Sequence, residues 1–302
     1  MRKINVAIIL LFVTLCISAQ DKPDLSIGYD SMKNFLHKNI EVYKGQELYL
    51  RGLDKSSQSY GYSGFILKYK NDDALLNDEK NIYKPNDNYN SRYEDLVGRY
   101  FNVLDVIRHA NTNNEYYLKL QELSSGDIVY YKYDTNSEFT FPFIVRGFLE
   151  KQKQLLIAKE YVIADDILKV SRNLVTGKGI VFTTGDKWTC TDITIDNRAN
   201  ELVLVLQNKG GVKITVPYST LTDEGIKKIF TADEATTLTR KYNVNNFRRI
   251  LQNKIRVGMT KEMTRMAWGE PTQINQAGTN KEQWIYPAGT LSFNGDKIIS
   301  TK

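Results

Sequence analysis

The apolar positions of this chain follow three successive patterns. Residues 6–17 form an almost unbroken apolar run. Between residues 43 and 217, branched and aromatic residues come in short stretches bounded by Gly, Ser, Asp and Asn, about one every ten residues, which predicts β-strands. Past residue 222 the apolar residues recur at three- and four-residue spacing, the period of a helix, before alternating again toward the end.

The first pattern fixes where the chain is expected to work. Arg2 and Lys3 precede the apolar run, and the small residues Ser18 and Ala19 with Gln20 follow it before the charged Asp21. That is the layout of a secretory signal peptide over residues 1–20, and the run is shorter than the ~20 residues of a membrane span. The protein is therefore expected to be extracytoplasmic, whether periplasmic, outer-membrane-associated or secreted, in a Gram-negative bacterium, with no transmembrane segment after cleavage. The bulky Leu15 before Cys16 argues against lipoprotein processing and for a mature start at Gln20 or Asp21. Cys190 then stands alone, so no internal disulfide forms, and the exported chain has to be held by its cores.

The second pattern predicts strands at 46–51, 64–69, 98–103, 115–120, 128–133 and 139–145, then at 179–183, 189–195, 201–207 and 212–217. A short helix is expected near 31–38. Residues 71–90, rich in Asn and Asp, read as a long loop, Ser124-Ser125-Gly126-Asp127 as a turn, and 147–159 as a charged crossing segment. The two strand sets echo each other, each opening on a Gly-led run, Gly98-Arg99-Tyr100-Phe101 and Gly179-Ile180-Val181-Phe182. Strands this short and evenly spaced predict small barrels or sandwiches. Their spacing resembles tandem SH3-like modules of bacterial envelope proteins.

The third pattern is marked by its caps. Thr231-Ala232-Asp233-Glu234 is a capping box. Residues 245–254 place Phe247, Ile250 and Leu251 on one helical face. Thr260 caps a third helix over 261–268, Gly269 ends it and Pro271 prevents continuation. Then Trp284 alternates with Tyr286, Leu291 with Phe293, and Asn294-Gly295 supplies a hairpin turn. The order Gly258-Met259-Thr260, Gly269-Glu270-Pro271, Trp284-Ile285-Tyr286 and Phe293-Asn294-Gly295-Asp296-Lys297-Ile298 resembles the SmpA/OmlA (BamE-like) module, which shares its fold with the β-lactamase inhibitory protein. The resemblance covers residues 254–302 and implies helices packed on an antiparallel sheet. It also implies a role in outer-membrane assembly or in binding a protein partner through the sheet. The expected fold is thus mostly β with an α+β C-terminus. Its expected domains are a β-rich domain at 21–150, a second small β domain at 151–222 and the BamE/BLIP-like module at 223–302.

Composition narrows the function. Of 41 Lys+Arg and 35 Asp+Glu, cleavage removes only Arg2 and Lys3, lowering the net charge from +6 to +4. With no basic run longer than Arg248-Arg249, nucleic acid is excluded as a partner. The 19 Tyr read as solvent-facing strand surface. His37 and His109 are isolated, His37 on the short opening helix and His109 in a loop, so neither zinc nor a histidine triad is expected. Asp165-Asp166 are adjacent and expected to diverge rather than converge as acid and base. Thr176-Gly177-Lys178-Gly179 lacks phosphate-loop spacing. Neither Asn71-Asp72-Asp73 nor Asn86-Asp87-Asn88 has the spacing of a calcium loop. Cys190 lies in a β-like run and reads as a packing residue.

No catalytic residue, metal ligand or cofactor is predicted. The expected function is non-enzymatic binding of a protein or envelope glycan. The alternatives are an envelope hydrolase whose carboxylates converge only in three dimensions, and an inhibitor of an exported enzyme. Alternation turns Gln283, Ile285, Thr290 and Ser292 away from the core strip, making this mixed, uncharged face the expected contact surface.

Overall fold

The computed structural model of the protein describes Tyr29 and residues 32–110, 112–222 and 225–302. The expected signal peptide, Cys16 and the expected cleavage site lie outside these residues, as does Ser31. The described part of the expected opening helix is bend and turn. His37 there has φ 50, a left-handed backbone that interrupts a right-handed helix. The helical turn comes later, as a 3₁₀ helix at Ile40–Tyr43.

The described residues are β-rich and form three antiparallel sheets. The first contains β1 (Glu47–Leu50), β2 (Phe65–Ile66), β3 (Tyr100–Arg108), β4 (Glu115–Glu122), β5 (Ile128–Asp134) and β6 (Phe143–Val145), in the order β2-β5-β4-β3-β1-β6. Between β2 and β3, the polar stretch carries two single-turn helices, α1 (Asp73–Leu76) and α2 (Tyr93–Leu96). The charged crossing segment is a helix, α3 (Arg146–Leu156). The second sheet contains β7 (Glu160–Ile163), β8 (Lys187–Asp196), β9 (Glu201–Asn208), β10 (Lys213–Pro217) and β11 (Ile229–Thr231), ordered β10-β9-β8-β7-β11, with α4 (Asp165–Val170) after β7. Then α5 (Ala232–Tyr242), α6 (Val244–Leu251) and α7 (Lys261–Trp268) precede the meander of β12 (Gln273–Gly278), β13 (Lys281–Tyr286), β14 (Gly289–Asn294) and β15 (Lys297–Thr301).

Apart from the two-residue β2, which the first adds at its edge, the first two sheets have the same wiring. Each starts with a four-residue strand, crosses a long loop, forms a three-stranded meander, makes a 3₁₀ turn (Glu138–Thr140; Tyr218–Leu221) and returns a three-residue strand to the first. Each then enters an 11-residue helix, α3 or α5. The registers match residue for residue. Leu48 faces Phe101 and Val145, just as Tyr161 faces Trp188 and Thr231. Both meanders bulge at the same place, after Val103 and after Cys190. The aspartate after each bulge pairs with a lysine preceding the unit's first strand, Lys44–Asp105 at 2.8 Å and Lys153–Asp192 at 3.4 Å.

This register moves the expected echo. Phe101 corresponds to Trp188, so the counterpart of Gly98 is Gly185, and both have positive φ. Residues 179–183, expected as a strand, lie in the loop before β8, where Gly179 makes an isolated bridge to Arg172.

One hydrophobic core runs through both sheets, from Leu48, Phe101 and Phe143 to Ile163, Trp188 and Leu206. Helix α3 joins them. Phe148 packs edge-on against Tyr218, whose hydroxyl donates to the buried Gln152 Oε1 at 3.0 Å. At the far end, the β8–β9 hairpin tip reaches the first sheet, where Tyr49 OH donates to Asn200 Oδ1 at 2.6 Å and the Gly52 amide to Asn200 O at 2.8 Å. A Cβ at Gly52 would lie 2.5 Å from Ala199 O, so glycine is required for this approach.

The tyrosines depart from the surface reading. Tyr43, Tyr62, Tyr131 and Tyr133 are among the largest fully buried side chains. Burial is tolerated because each hydroxyl donates to a main-chain carbonyl: Tyr43 to Asn34, Tyr62 to Arg51, Tyr131 to Thr140 and Tyr133 to His37. Each of these carbonyls lies outside the strands, so the tyrosines tie loops to the core.

Glu122 plays the same part with a carboxylate. It is 0% exposed, and its two oxygens accept the amides of Ser124 and Ser125 at 3.0 and 2.8 Å, closing the β4–β5 turn. Burial pushes its carboxyl up, but the hydrogen bonds from Ser125 and Ser124 outweigh it and bring it down to about 2. Its stabilisation is therefore complete above the ordinary value of 4.5 and disappears as pH falls from there toward 2. Glu122→Ala should cost about 2 kcal/mol at neutral pH by leaving two amides unpaired. Chemical denaturation at a series of pH values should show the gap to wild type closing below pH 4.5.

Candidate functional site

The C-terminal helices and sheet build the surface singled out from the sequence. The Thr231 hydroxyl accepts the Glu234 amide while the Glu234 carboxylate accepts the Thr231 amide, completing the expected capping box of α5. Thr260 caps α7 by accepting the Met263 amide at 3.2 Å, and Gly269 leaves that helix with φ 79. These caps set the helices against one face of the sheet. Trp284, Tyr286, Leu291, Phe293 and Ile298 meet Tyr242, Ile250, Met259 and Met263 in a second core. Lys261 pairs with Glu282 at 2.8 Å, and Glu282 accepts the Trp284 indole N–H at 2.8 Å, tying α7 to β13. The Lys261 hydrogen bond, followed by that from Trp284, holds the Glu282 carboxyl below its usual range. The last hairpin turn consists of Gly295 and Asp296, one position beyond the expected pair, because Asn294 still pairs with Lys297.

With Trp284 buried, its neighbours face the other way. Ile285 lies opposite Thr290 and Gln283 opposite Ser292, while Gln273 and Asn275 of β12 extend the row on one side and Ser300 of β15 on the other. Gln273 and Gln283 are exposed; Asn275, Ile285, Thr290, Ser292 and Ser300 are half-buried. These seven residues carry amides, hydroxyls and one branched apolar group and no charge; the exposed Lys281, two residues before Gln283 on the same strand, borders them. Such a surface can donate and accept hydrogen bonds, and these seven residues include no carboxylate, imidazole, ammonium or thiol to serve as a general acid or base.

The other residues weighed for chemistry are engaged in structure. Asp165 accepts the Thr184 hydroxyl at 2.8 Å, whereas Asp166 pairs with Lys228 at 2.8 Å, so the two carboxylates diverge. Asp72 caps α1, Asn71 accepts the Ala110 amide, and Asn86 accepts the amides of Asn88 and Asn90. Asn173 organises the Thr176-Gly177-Lys178 turn by accepting the Val175 and Thr176 amides. Cys190 is fully buried, and burial pushes its thiol up to about 11, leaving it unreactive. His109 lies in the loop after β3, as expected, but is buried there, 3% exposed, with Nε2 3.3 Å from Asp73 and Tyr69 and Tyr117 around its ring.

Several cavities among the described residues were not foreseen, and two of them bring charged side chains together. One, of about 430 Å³ between the first two sheets, is lined by His37, Arg51, Glu138, Glu201 and Tyr218 among others. Glu201 is half-buried there, and its carboxyl is raised by burial, with Asp196 and Asp54 adding and Arg51 opposing. The other, also about 430 Å³, lies between α5, α6 and the loop before β8. Each draws residues from elements distant in sequence, and no local spacing announces such sites. Comparison with family models, curated proteins and solved structures gives no match to this chain.

The two faces of β13 should respond differently to substitution. Trp284→Ala should destabilise the protein by about 3–5 kcal/mol, the range for large aromatic truncations in a core. Thr260→Ala should cost only about 1 kcal/mol, the worth of a cap. Urea denaturation followed by far-ultraviolet circular dichroism measures both, and a neutral Trp284→Ala would place that side chain outside the core.

Proposed function

We propose that this chain is an exported, non-enzymatic protein of the Gram-negative envelope that binds a protein partner through the outer face of its C-terminal sheet. The observation that carries the reading is the difference between the two faces of that sheet: helices pack on the Trp284 face, while on the other Gln283 is exposed and the uncharged Ile285, Thr290 and Ser292 keep part of their surface accessible. The pattern of residues 1–20 supports export. The strand order and 3₁₀ turns of the first two units support the SH3-like reading, and the helices leading into a four-stranded meander support the BamE/BLIP-like one. On this reading the first two units are a scaffold that holds the third.

The experiment is site-specific photo-crosslinking in the envelope, with the crosslinker at Gln283 or Ser292 and a control at the exposed Lys209. A discrete protein adduct from the first two positions and not from Lys209 is expected. Ile285→Lys should abolish it while shifting the melting temperature by less than about 2 °C. A large fall in melting temperature would instead mean that the face is packed within the protein, and the proposal would go.

A second reading, an envelope hydrolase, rests on Glu138 and Glu201 lining one cavity, with the Glu201 carboxyl raised as an acid's would be. Incubation with purified envelope glycan would then release reducing ends, and Glu201→Gln would stop the release. No release from wild type removes this reading.

A further inference from the structure

The repeated wiring of the first two units allows one groove to be compared in two settings. In each unit it lies where the first strand and the start of the meander meet the helix that follows the last strand. In the first unit it is lined by Tyr49, Tyr100, Arg146 and Leu149, with Ile195 from the neighbouring hairpin, and only about 70 Å³ remains. The register places Val162, Lys187, Ala232 and Ala235 at the corresponding positions of the second unit. There the groove holds about 430 Å³. Replacement of two tyrosines, an arginine and a leucine by smaller or more flexible side chains accounts for the opening.

The lining of the open groove has one chemical character below and another at its rim. Val162, Ala235, Phe247 and Leu251 are buried and apolar. The threonines add little polarity, because Thr236 and Thr239 donate their hydroxyls back to the Ala232 and Ala235 carbonyls of their own helix. Thr184 likewise donates to Asp165 and accepts from Gln252. At the rim stand Lys187, Arg240 and Arg248, and no lining residue is acidic. Lys187 is held by Glu160 at 2.8 Å. Arg240 and Arg248 are exposed and have no carboxylate within ion-pair distance among the described residues.

We propose that this groove binds a soluble, single-chain amphiphilic anion, with its apolar chain over Phe247, Val162 and Ala235 and its carboxylate between Arg240 and Arg248. The volume lies within the range of small-molecule sites, and guanidinium groups are suited to carboxylate by their paired donors. The site is separate from the outer sheet face, and its test does not depend on that reading.

Isothermal titration of the full chain with monomeric decanoate should show one saturable site. Decanol, which keeps the chain but loses the charge, and acetate, which keeps the charge but loses the chain, should each bind at least about tenfold more weakly. The double variant Arg240→Gln, Arg248→Gln should weaken decanoate by about tenfold or more at an unchanged melting temperature. Ala235→Leu, which restores the first unit's residue, should also block it. Absence of decanoate binding, equal binding of decanol, or indifference to the double glutamine variant would overturn the proposal. Binding to vesicles containing anionic phospholipid without binding to decanoate would overturn it as well, in favour of a membrane-facing surface.

Discussion

Both N-terminal units depend on a four-residue strand that is paired on both edges. Strand β1 joins β3 to β6, and β7 joins β8 to β11, so removing either would open its sheet into a free meander and a stray terminal strand. Four residues provide few hydrogen bonds, and the units reinforce them identically. The residue just before each pairing segment is left-handed, Gly45 with φ 81 and Ala158 with φ 68, and its amide donates to the carbonyl at the bulge, Val103 or Cys190. The bulge sharpens the local twist, bending the long strand around the core. The aspartate that follows each bulge is then tied to a lysine upstream of the short strand. Two sequences with little in common keep these devices because curling a short sheet requires them.

Much of this architecture was legible where the signal is local. The meanders, the capping box at Thr231, the Thr260 cap and the Trp284–Tyr286 alternation each depend on residues within a few positions of one another. Strands β7 and β11 were missed for the opposite reason. They are four and three residues long, largely buried, and exist because each finds the other across the intervening chain. The echo between the units was visible, but its offset was not. The loop between the first strand and the meander spans residues 51–99 in one unit and 164–186 in the other, which sets Gly98 opposite Gly185 rather than Gly179. Tyrosine burial was hidden too, because it is decided by whether a loop carbonyl lies within reach of the hydroxyl.

The same distinction separates the two surfaces of the C-terminal half. The outer face of the third sheet could be named residue by residue because strand alternation alone determines it. The groove beside α5 could not, since Arg240 and Arg248 belong to different helices and Val162 to a strand about 80 residues earlier. Arg248 was noticeable only as half of a basic pair.

The different fates of α3 and α5 explain why one groove is filled and the other open. Helix α3 lies between two sheets and packs large residues, Phe148 and Leu149, into the single core they share. Helix α5 has to serve two masters, for Leu238 packs against both the core of the third sheet and the small cluster of Val162, Phe230 and Phe247, while Tyr242 is given wholly to the former. An 11-residue helix makes only about three turns. With its bulky side chains turned toward the C-terminal module, what remains against the second unit is Ala232, Ala235, Thr236 and Thr239. Small residues on that side are thus the structural consequence of attaching a third module, and the space they leave becomes available to a ligand because α6 supplies the opposite wall with Phe247 and a free guanidinium.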